Sequence, residues 1–498
     1  MKSSYENARK AINSISDTFC AAKWYNVSIW LGNGRTASCH HPLAHKIPDE
    51  ELALDPSALH NTLHKKKQRK MMLEGERPPE CSYCWTAEDA SGGNREGVYS
   101  DRIYQSARYS QEEIEELKKL SWDKNVNPKT LEICFDNFCN LACSYCNSEF
   151  SSTWAKDISD NGPYKDMTTG GGHTYRHDGA MAMPFGNKNE GNIYVKRFFD
   201  WFPKIKNGLD EFRVSGGEPS RSPSFWKLLE LCDNESFDFA VNSNLIMDDK
   251  RLDKLITASN KFKKFDIYTS AECMGKNQEF VRDGFEWNIW TKNMFKLQDS
   301  NFNGKVNIMM TISALSIWTV AEFLEMIVEW RKKINQKEQF YMSVNILRFP
   351  SFQSVNIIDQ SIKEELADKI ETVLEKSREI MIGWEANQFE RLIKYLRNVE
   401  RSYEDQDKLE DKRKDEPWVK TMSYEGGLEE YVKHIDQTRK PLMEVPISFT
   451  GKKDEIEVDV SMWWNDSYYE TVNCFTNNIP QKDGGTHLAG LRLSLIHI

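Results

Sequence analysis

Three cysteines on one short loop carry the strongest chemical signal in this chain. The run is Cys139-Asn-Leu-Ala-Cys143-Ser-Tyr-Cys146, placed directly after the strand-like stretch Leu131–Phe135. With 11 cysteines in 498 residues, random placement gives this spacing roughly 0.005 times per chain, so three incidental buried thiols explain it poorly. Three thiolates suit an iron–sulfur cluster with one iron left free of protein, whereas a closed structural zinc site takes four protein ligands. A free iron can accept a chelating ligand, which turns a redox centre into a catalyst.

A second group comprises Cys20, Cys39 and the knuckle Cys81-x-x-Cys84. In a large chain of a reducing compartment, cysteines read as metal ligands or catalysts rather than disulfides. Four thiolates satisfy a zinc site as well as an iron–sulfur cluster, and both assignments stay open. His40, His41 or His45 could replace a ligand, but read first as polar surface residues. Cys134, Cys232, Cys273 and Cys474 follow no spacing and read as small buried hydrophobes.

The elements that must position the loop follow from periodicity. Strand-like runs occur at Leu131–Phe135, Glu211–Ser215, Phe239–Ser243, Phe265–Ser270, Val306–Ile312 and Tyr341–Ile346. Amphipathic helices lie between them, including Ile193–Ile205, one opening at Ser222-Pro223, and two behind the boxes Thr319-x-x-Glu322 and Ser361-x-x-Glu364. Strands alternating with helices predict an α/β fold with a parallel sheet, open or partly closed as a (βα)6 partial barrel. Chemistry in such folds sits at the C-terminal strand ends. The second strand ends in Ser215-Gly216-Gly217-Glu218-Pro219, where glycines permit close backbone approach and a carboxylate can hold an ammonium group. Asn242 and Ser270 end the third and fourth strands.

The spacing C-x3-C-x-aromatic-C resembles the signature of the radical S-adenosylmethionine (SAM) superfamily. The resemblance implies that Cys139, Cys143 and Cys146 hold a 4Fe-4S cluster whose free iron binds SAM. It implies reductive cleavage of SAM to methionine and a 5′-deoxyadenosyl radical, which abstracts hydrogen from substrate. Tyr145 would lie beside the adenine, and Gly216, Gly217 and Glu218 resemble the motif that holds the SAM amino group. Asn242 and Ser270 would hold ribose hydroxyls or the methionyl carboxylate. Arg282 resembles the arginine that meets the carboxylate in peptide-modifying relatives. Asn345 and Arg348 could touch SAM or substrate, and Cys273 is a candidate for returning hydrogen.

The N-terminal cysteines, with Gly34-Arg35, Arg69 and Gly75–Trp85, resemble the SPASM-like auxiliary-cluster half-domain called twitch, placed here before the barrel as in uncharacterised phage and bacterial radical SAM proteins. Auxiliary-cluster relatives often modify peptides, so a peptide or protein substrate is the first expectation and a small molecule the second. A reducing donor such as flavodoxin or ferredoxin is implied. The rival function is a zinc-stabilised binding protein on a barrel scaffold.

The expected organisation is a small Cys-rich α+β domain over 1–100, a helical linker over 101–127, the barrel over 128–380 and a mostly helical extension over 381–498. Residues 160–192, with Gly170-Gly171-Gly172, read as a flexible insert, and 493–498 resemble a non-native tail. The basic run His64–Lys70 reads as the wet face of a short helix. Val27–Leu31 beside Gly32-Asn33-Gly34 predicts a hairpin arm, and Ser110–Glu113 a capping box. A net charge of −10 argues against a general nucleic-acid binder. No apolar run is long enough to span a bilayer, and no secretory h-region opens the chain, so the expected location is cytoplasmic.

Overall fold

The computed structural model describes residues 2–90, 99–162, 164, 191–334, 339–348, 350–398, 427–435, 441–453, 456–465, 475–476 and 479–480. The chain divides into two units, Met1–Gln406 and Asp407–Ile498.

The first unit is built on one nine-stranded sheet. Its strands are β1 (Asn26–Trp30), β2 (Arg35–Ala37), β3 (His45–Lys46), β4 (Thr130–Cys134), β5 (Glu211–Ser215), β6 (Glu235–Ser243), β7 (Phe262–Ser270), β8 (Val306–Ile312) and β9 (Phe340–Ile346). They lie in the order β9-β8-β7-β6-β5-β4-β1-β2-β3. From β4 to β9 every neighbour is parallel and next in sequence, so each crossover winds onward in one direction. All six expected strand runs are present.

The N-terminal hairpin joins this sheet. β1 pairs in parallel with β4, Ser28 opposite Glu132 and Trp30 opposite Cys134, and β2 folds back antiparallel on β1. Gly34 makes the turn at φ +64°, and a Cβ there would strike the Tyr194 ring at 2.2 Å. Residues 1–120 also carry an apolar cluster of their own, with Ile12, Phe19, Trp24, Met72, Trp85 and Ile114 at its centre.

The parallel strands alternate in burial. Leu131, Ile133, Phe212, Val214, Phe239, Val241, Phe265, Ile267, Ile308, Met310, Met342 and Val344 are buried on one face, beneath the helices. Glu132, Arg213, Ser215, Asn242, Tyr268, Ser270, Thr311, Tyr341 and Ser343 occupy the other and are half-buried. A parallel sheet covered on both faces reads as nearly continuous hydrophobic residues. The polar alternation here instead gives this sheet one face that holds hydrogen-bonding groups against a wet interior.

Local signals fare unevenly. Ser110 accepts from Glu113 N–H while the Glu113 carboxylate accepts from Ser110 N–H, a capping box that opens helix Gln111–Lys118. Helices Ile193–Ile205 and Pro223–Leu231 form as expected. The Thr319 box does not form: the Thr319 hydroxyl accepts from Met274 N–H at 3.0 Å, and helix Val320–Ile334 begins just after it. Helix Gln360–Ser377 starts one residue ahead of Ser361, with Asp359 at its N-cap.

The basic helix Leu63–Leu73 is not wet on all sides. Lys65 and Arg69 are buried, because their i, i+4 spacing turns both onto the inner side of the helix. Arg69 donates to the carbonyls of Lys23 and Lys124 and to Asn61 Oδ1, and Lys65 donates to the Asn26 carbonyl and His60 Nδ1. Buried cations are thus satisfied by carbonyl dipoles and an imidazole.

Helix Gly383–Leu396 closes the first unit against β9. Glu385 accepts both Arg331 Nη atoms at 2.6 and 2.9 Å and the Met342 N–H at 2.5 Å. In the second unit, helix Gly427–Ile435 is followed by an antiparallel pair, Ile447–Lys453 with Ile456–Met462. Most of the expected insert over 160–192 and the ending at 493–498 lie outside the described residues. Among the described residues no helix is long and apolar enough to cross a membrane.

Candidate active site and metal centres

The three-cysteine loop leaves the C-terminal end of β4, and the sequence around it explains its shape. Asp136 caps the loop, accepting Phe138 N–H at 3.2 Å and the Ser222 hydroxyl at 2.6 Å. Ser152 and Thr153, at the start of helix Ser152–Asn161, donate to the Cys139 carbonyl, and Trp154 Nε1 donates to the Cys143 carbonyl at 2.8 Å. Ala142-Cys143 forms a two-residue antiparallel pair with Arg282-Asp283. Gly284, at φ +88°, lets the Asn140 carbonyl pass where a Cβ would lie 2.7 Å away. The loop is therefore fixed from both flanks, and its sulfurs need no substrate to order them.

Burial pushes the Cys139 and Cys146 thiols up to about 12. Such thiols become thiolate ligands when a bound metal supplies the compensating charge.

Beside the loop stands a buried triad. The Arg282 guanidinium donates to Glu272 through Nε at 2.9 Å and Nη2 at 2.5 Å, and its Nη1 lies 3.3 Å from Cys143 Sγ. Tyr145 Oη donates to Glu272 Oε1 at 2.7 Å and also meets Arg282 Nη2. Burial alone would lower the Arg282 pKa; the Glu272 carboxylate, Tyr145 and Cys143 together outweigh it, so the guanidinium is held firmly charged. Arg282 and Tyr145 were expected near the cysteines, and the structure brings them there. In the sequence Glu272 reads only as one of the polar residues in Ser270-Ala271-Glu272 that end the fourth strand, and not as the partner of Arg282. An acidic residue just past a strand end facing a distant arginine is the signal that would have found it.

Gly216 and Gly217 form the other wall. Gly216 sits at φ +127°, and a Cβ on it would meet Cys134 Sγ at 2.6 Å. A Cβ on Gly217 would stand 2.2 Å from the Phe138 carbonyl oxygen, immediately before Cys139. These contacts require glycine at both positions. The Glu218 carboxylate is spoken for: it accepts Ser220 N–H at 3.1 Å, the Ser243 hydroxyl at 2.9 Å and Asn244 N–H at 2.6 Å. Burial raises its pKa. Glu218 thus ties the end of β5 to the end of β6 with its side chain.

Asn242 and Ser270 lie on the polar face of the sheet at the ends of β6 and β7, and Asn242 Oδ1 is buried with no partner among the described residues. On the same face Arg213 stands 4.1 Å over the Tyr268 ring, a cation–π contact. Strand alternation alone would have shown Arg213, Tyr268 and Tyr341 as inward-facing. Asn345 and Arg348 are exposed, and Cys273 is fully buried against Gln278 Oε1.

The N-terminal cysteines converge as well. Cys20, Cys39, Cys81 and Cys84 line one pocket together with Lys23 and His41. Cys20 and Cys84 are pushed up to about 12, with burial the largest cause and the neighbouring sulfurs adding to it. Lys23 is buried and paired with Glu80. The histidines divide: His40 pairs with Glu132 at 3.1 Å, His41 stacks on Tyr83 and binds Asp101, and His45 is half-buried against Thr62.

Both thiol sets can be tested for fit to a metal. Zinc–sulfur bonds of about 2.3 Å in a tetrahedron set sulfurs about 3.8 Å apart. Among the described residues, the one set of three or more potential ligands within 4.8 Å of each other is His45, His64 and Glu80, so no three thiols in either group come that close.

Comparison with known proteins divides the chain. A family model described as DNA gyrase B matches residues 427–498. The DNA gyrase B protein of Caulobacter vibrioides is 52% identical over 90 residues, 18% of this chain and 11% of that protein. Its counterpart from Bacillus mycoides is 37% identical over 102 residues, covering 20% and 24%. The chain spans a small part of the length of these curated relatives. The match falls inside the stretch expected as a mostly helical extension, and the residues 493–498 lie within it.

Solved structures resemble the chain weakly. Streptococcus suis SuiB bound to S-adenosylmethionine is 14% identical, with a TM-score of 0.32 over 70% of this chain and 69% of that one. Native anSMEcpe with bound AdoMet is 13% identical, with a TM-score of 0.31 over 50% and 61%.

Proposed function

We propose that the first unit is a radical SAM enzyme. Cys139, Cys143 and Cys146 would hold a 4Fe-4S cluster, and the single observation that carries the reading is their placement. Three fixed thiols stand at the C-terminal end of a singly wound parallel sheet, between the Gly216-Gly217 wall and the Arg282–Glu272–Tyr145 triad. The chemistry such a cluster would supply when bound and reduced is one electron for cleaving SAM into methionine and a 5′-deoxyadenosyl radical.

The chain's residues have separable tasks. Gly216 and Gly217 clear the backbone for the amino group of SAM, and Glu218 holds that wall to β6. Arg282, charged and aimed beside Cys143, is placed to meet a carboxylate, while Tyr145 offers a ring toward the adenine. Asn242 and Ser270 extend the lining toward ribose and substrate. The order β4 to β9 supports a (βα)6 partial barrel, and the polar inner face bearing Arg213, Tyr268 and Tyr341 supports a substrate held within it. A peptide or protein substrate is the first choice, because the four-cysteine group resembles the auxiliary-cluster half-domain of peptide-modifying enzymes, and a small molecule the second. The four N-terminal cysteines are proposed as ligands of an auxiliary iron–sulfur cluster in a twitch-like domain, with electrons from a flavodoxin or ferredoxin in the cytoplasm.

Anaerobic reconstitution with iron and sulfide tests this reading. Two four-iron clusters per chain are expected, one of which changes its electron paramagnetic resonance signal when SAM is added. A colourless zinc protein indifferent to SAM would return the chain to the class of metal-stabilised binding proteins.

A further inference from the structure

Three side chains that the proposed chemistry does not use converge beside the four-cysteine pocket. His45 comes from β3, His64 from helix Leu63–Leu73 and Glu80 from the turn that leads into Cys81. One ligand atom from each lies within 4.8 Å of the others. The two imidazole rings are 4.3 Å apart between centroids, and His64 Nε2 is 2.7 Å from Glu80 Oε2. Elements far apart in sequence have thus been folded to bring two nitrogen donors and one carboxylate to a common point.

Each donor that is not at the rim is held from behind. His45 Nε2 lies 2.8 Å from Thr62 Oγ1, which also accepts Lys65 N–H at 3.1 Å. Lys23 takes the far oxygen of Glu80, so the carboxylate presents its other oxygen to His64. Outer contacts of this kind, a hydroxyl on an imidazole and a donor on a carboxylate, are what orient metal ligands. His64 is exposed at 45%, which leaves a route for an ion to enter.

We propose that His45, His64 and Glu80 form a site for one divalent transition cation, zinc being the class the donors suit. Two imidazoles and a carboxylate, with a fourth position for water, are a borderline nitrogen–oxygen set. The Lys23 charge weakens the only carboxylate, so calcium and magnesium, which need several oxygen ligands, do not fit. A cation here ties β3, the basic helix and the turn entering the Cys81-x-x-Cys84 knuckle into one unit, and so braces the four-cysteine pocket. In the metal-free protein the His64 imidazole lies directly against the Glu80 carboxylate.

The site does not depend on the radical reading, and its test is separate from it. The reconstituted full chain is titrated with Co2+ and followed by visible absorption. One Co2+ per chain is expected, with weak ligand-field bands, no thiolate-to-cobalt charge transfer, and displacement by Zn2+. His45→Gln and His64→Gln each weaken binding by more than about tenfold, a loss that even outer-contact substitutions can cause. Iron content should be unchanged in both. A cooperative melting transition of metal-free His64→Gln is checked alongside, so that loss of binding is read apart from loss of fold. Absence of cobalt binding, a spectrum dominated by thiolate charge transfer, or unchanged affinity in His64→Gln would each overturn the proposal.

Discussion

Glu272 is where a single residue decides most in the active site. It is fully buried and neutralises Arg282, which in turn touches Cys143, so removing it leaves an uncompensated charge beside the thiols. Breaking a buried pair from one side costs about 3–5 kcal/mol. Glu272→Ala is therefore expected to lower the unfolding free energy by that much and to reduce cluster incorporation at the Cys139 loop. An unchanged denaturant midpoint would show that Arg282 finds another partner. Gly217→Ala acts by sterics alone. Its Cβ would stand 2.2 Å from the Phe138 carbonyl oxygen, so the loop must shift; iron bound at that loop should fall while the N-terminal iron is retained. At this scale the cysteines were plain in the sequence because spacing alone marks a ligand loop. Glu272 was not, since an acidic residue past a strand has meaning only once Arg282, ten positions on, is folded over it. Lys65 and Arg69 misled because a run of basic residues resembles a solvated face until the carbonyls that receive them are known.

Among the elements, the strands were the most legible. Each of the six parallel strands carries a run of apolar or β-branched residues, and their burial alternates because only one face meets helices. β1 was harder to place. Its five residues pair in parallel with β4 across a hundred residues of sequence, and nothing local distinguishes that from an independent arm. Helix Gly383–Leu396 was likewise visible as a helix but not as part of the first unit, since its attachment rests on Glu385 reaching Arg331 and the backbone of β9. That attachment can be weighed. Glu385→Ala should cost about 3–5 kcal/mol, whereas the double substitution Arg331→Met with Glu385→Leu should be far milder, because paired removal leaves no buried charge. Urea unfolding of the native protein and both variants decides it; equal losses in single and double variants would mean that packing, not the ion pair, holds the helix.

For the whole molecule, the structure divides into two units, Met1–Gln406 and Asp407–Ile498. The first unit carries every residue of the proposed chemistry, while 427–498 resembles a piece of DNA gyrase B. That likeness was invisible to periodicity, which sees helices and strands but not relatedness. A chain ending at residue 406 should keep its iron content unaltered; loss of iron would show that the second unit supports the first. The buried histidines set an acid limit on stability. Burial, and then His64 and Lys65, push His45 down to about 3, while burial, Lys65 and Arg69 hold His60 well below its ordinary value. The unfolded chain protonates both near pH 6.5 and the folded chain does not, so stability is complete above that value and declines toward pH 3. Measured in chelator, the urea midpoint should drop between about pH 7 and about pH 5, and less steeply in His60→Gln; equal slopes would remove His60 from the account.

The central claim is that the three-cysteine loop makes this an enzyme that breaks SAM. The direct measurement is 5′-deoxyadenosine formed when the reconstituted full chain is mixed anaerobically with dithionite and SAM. The account predicts its formation by the native protein and none by a variant with Cys139, Cys143 and Cys146 all changed to alanine. Intact SAM with a fully loaded native protein, or equal product from the variant, would contradict it.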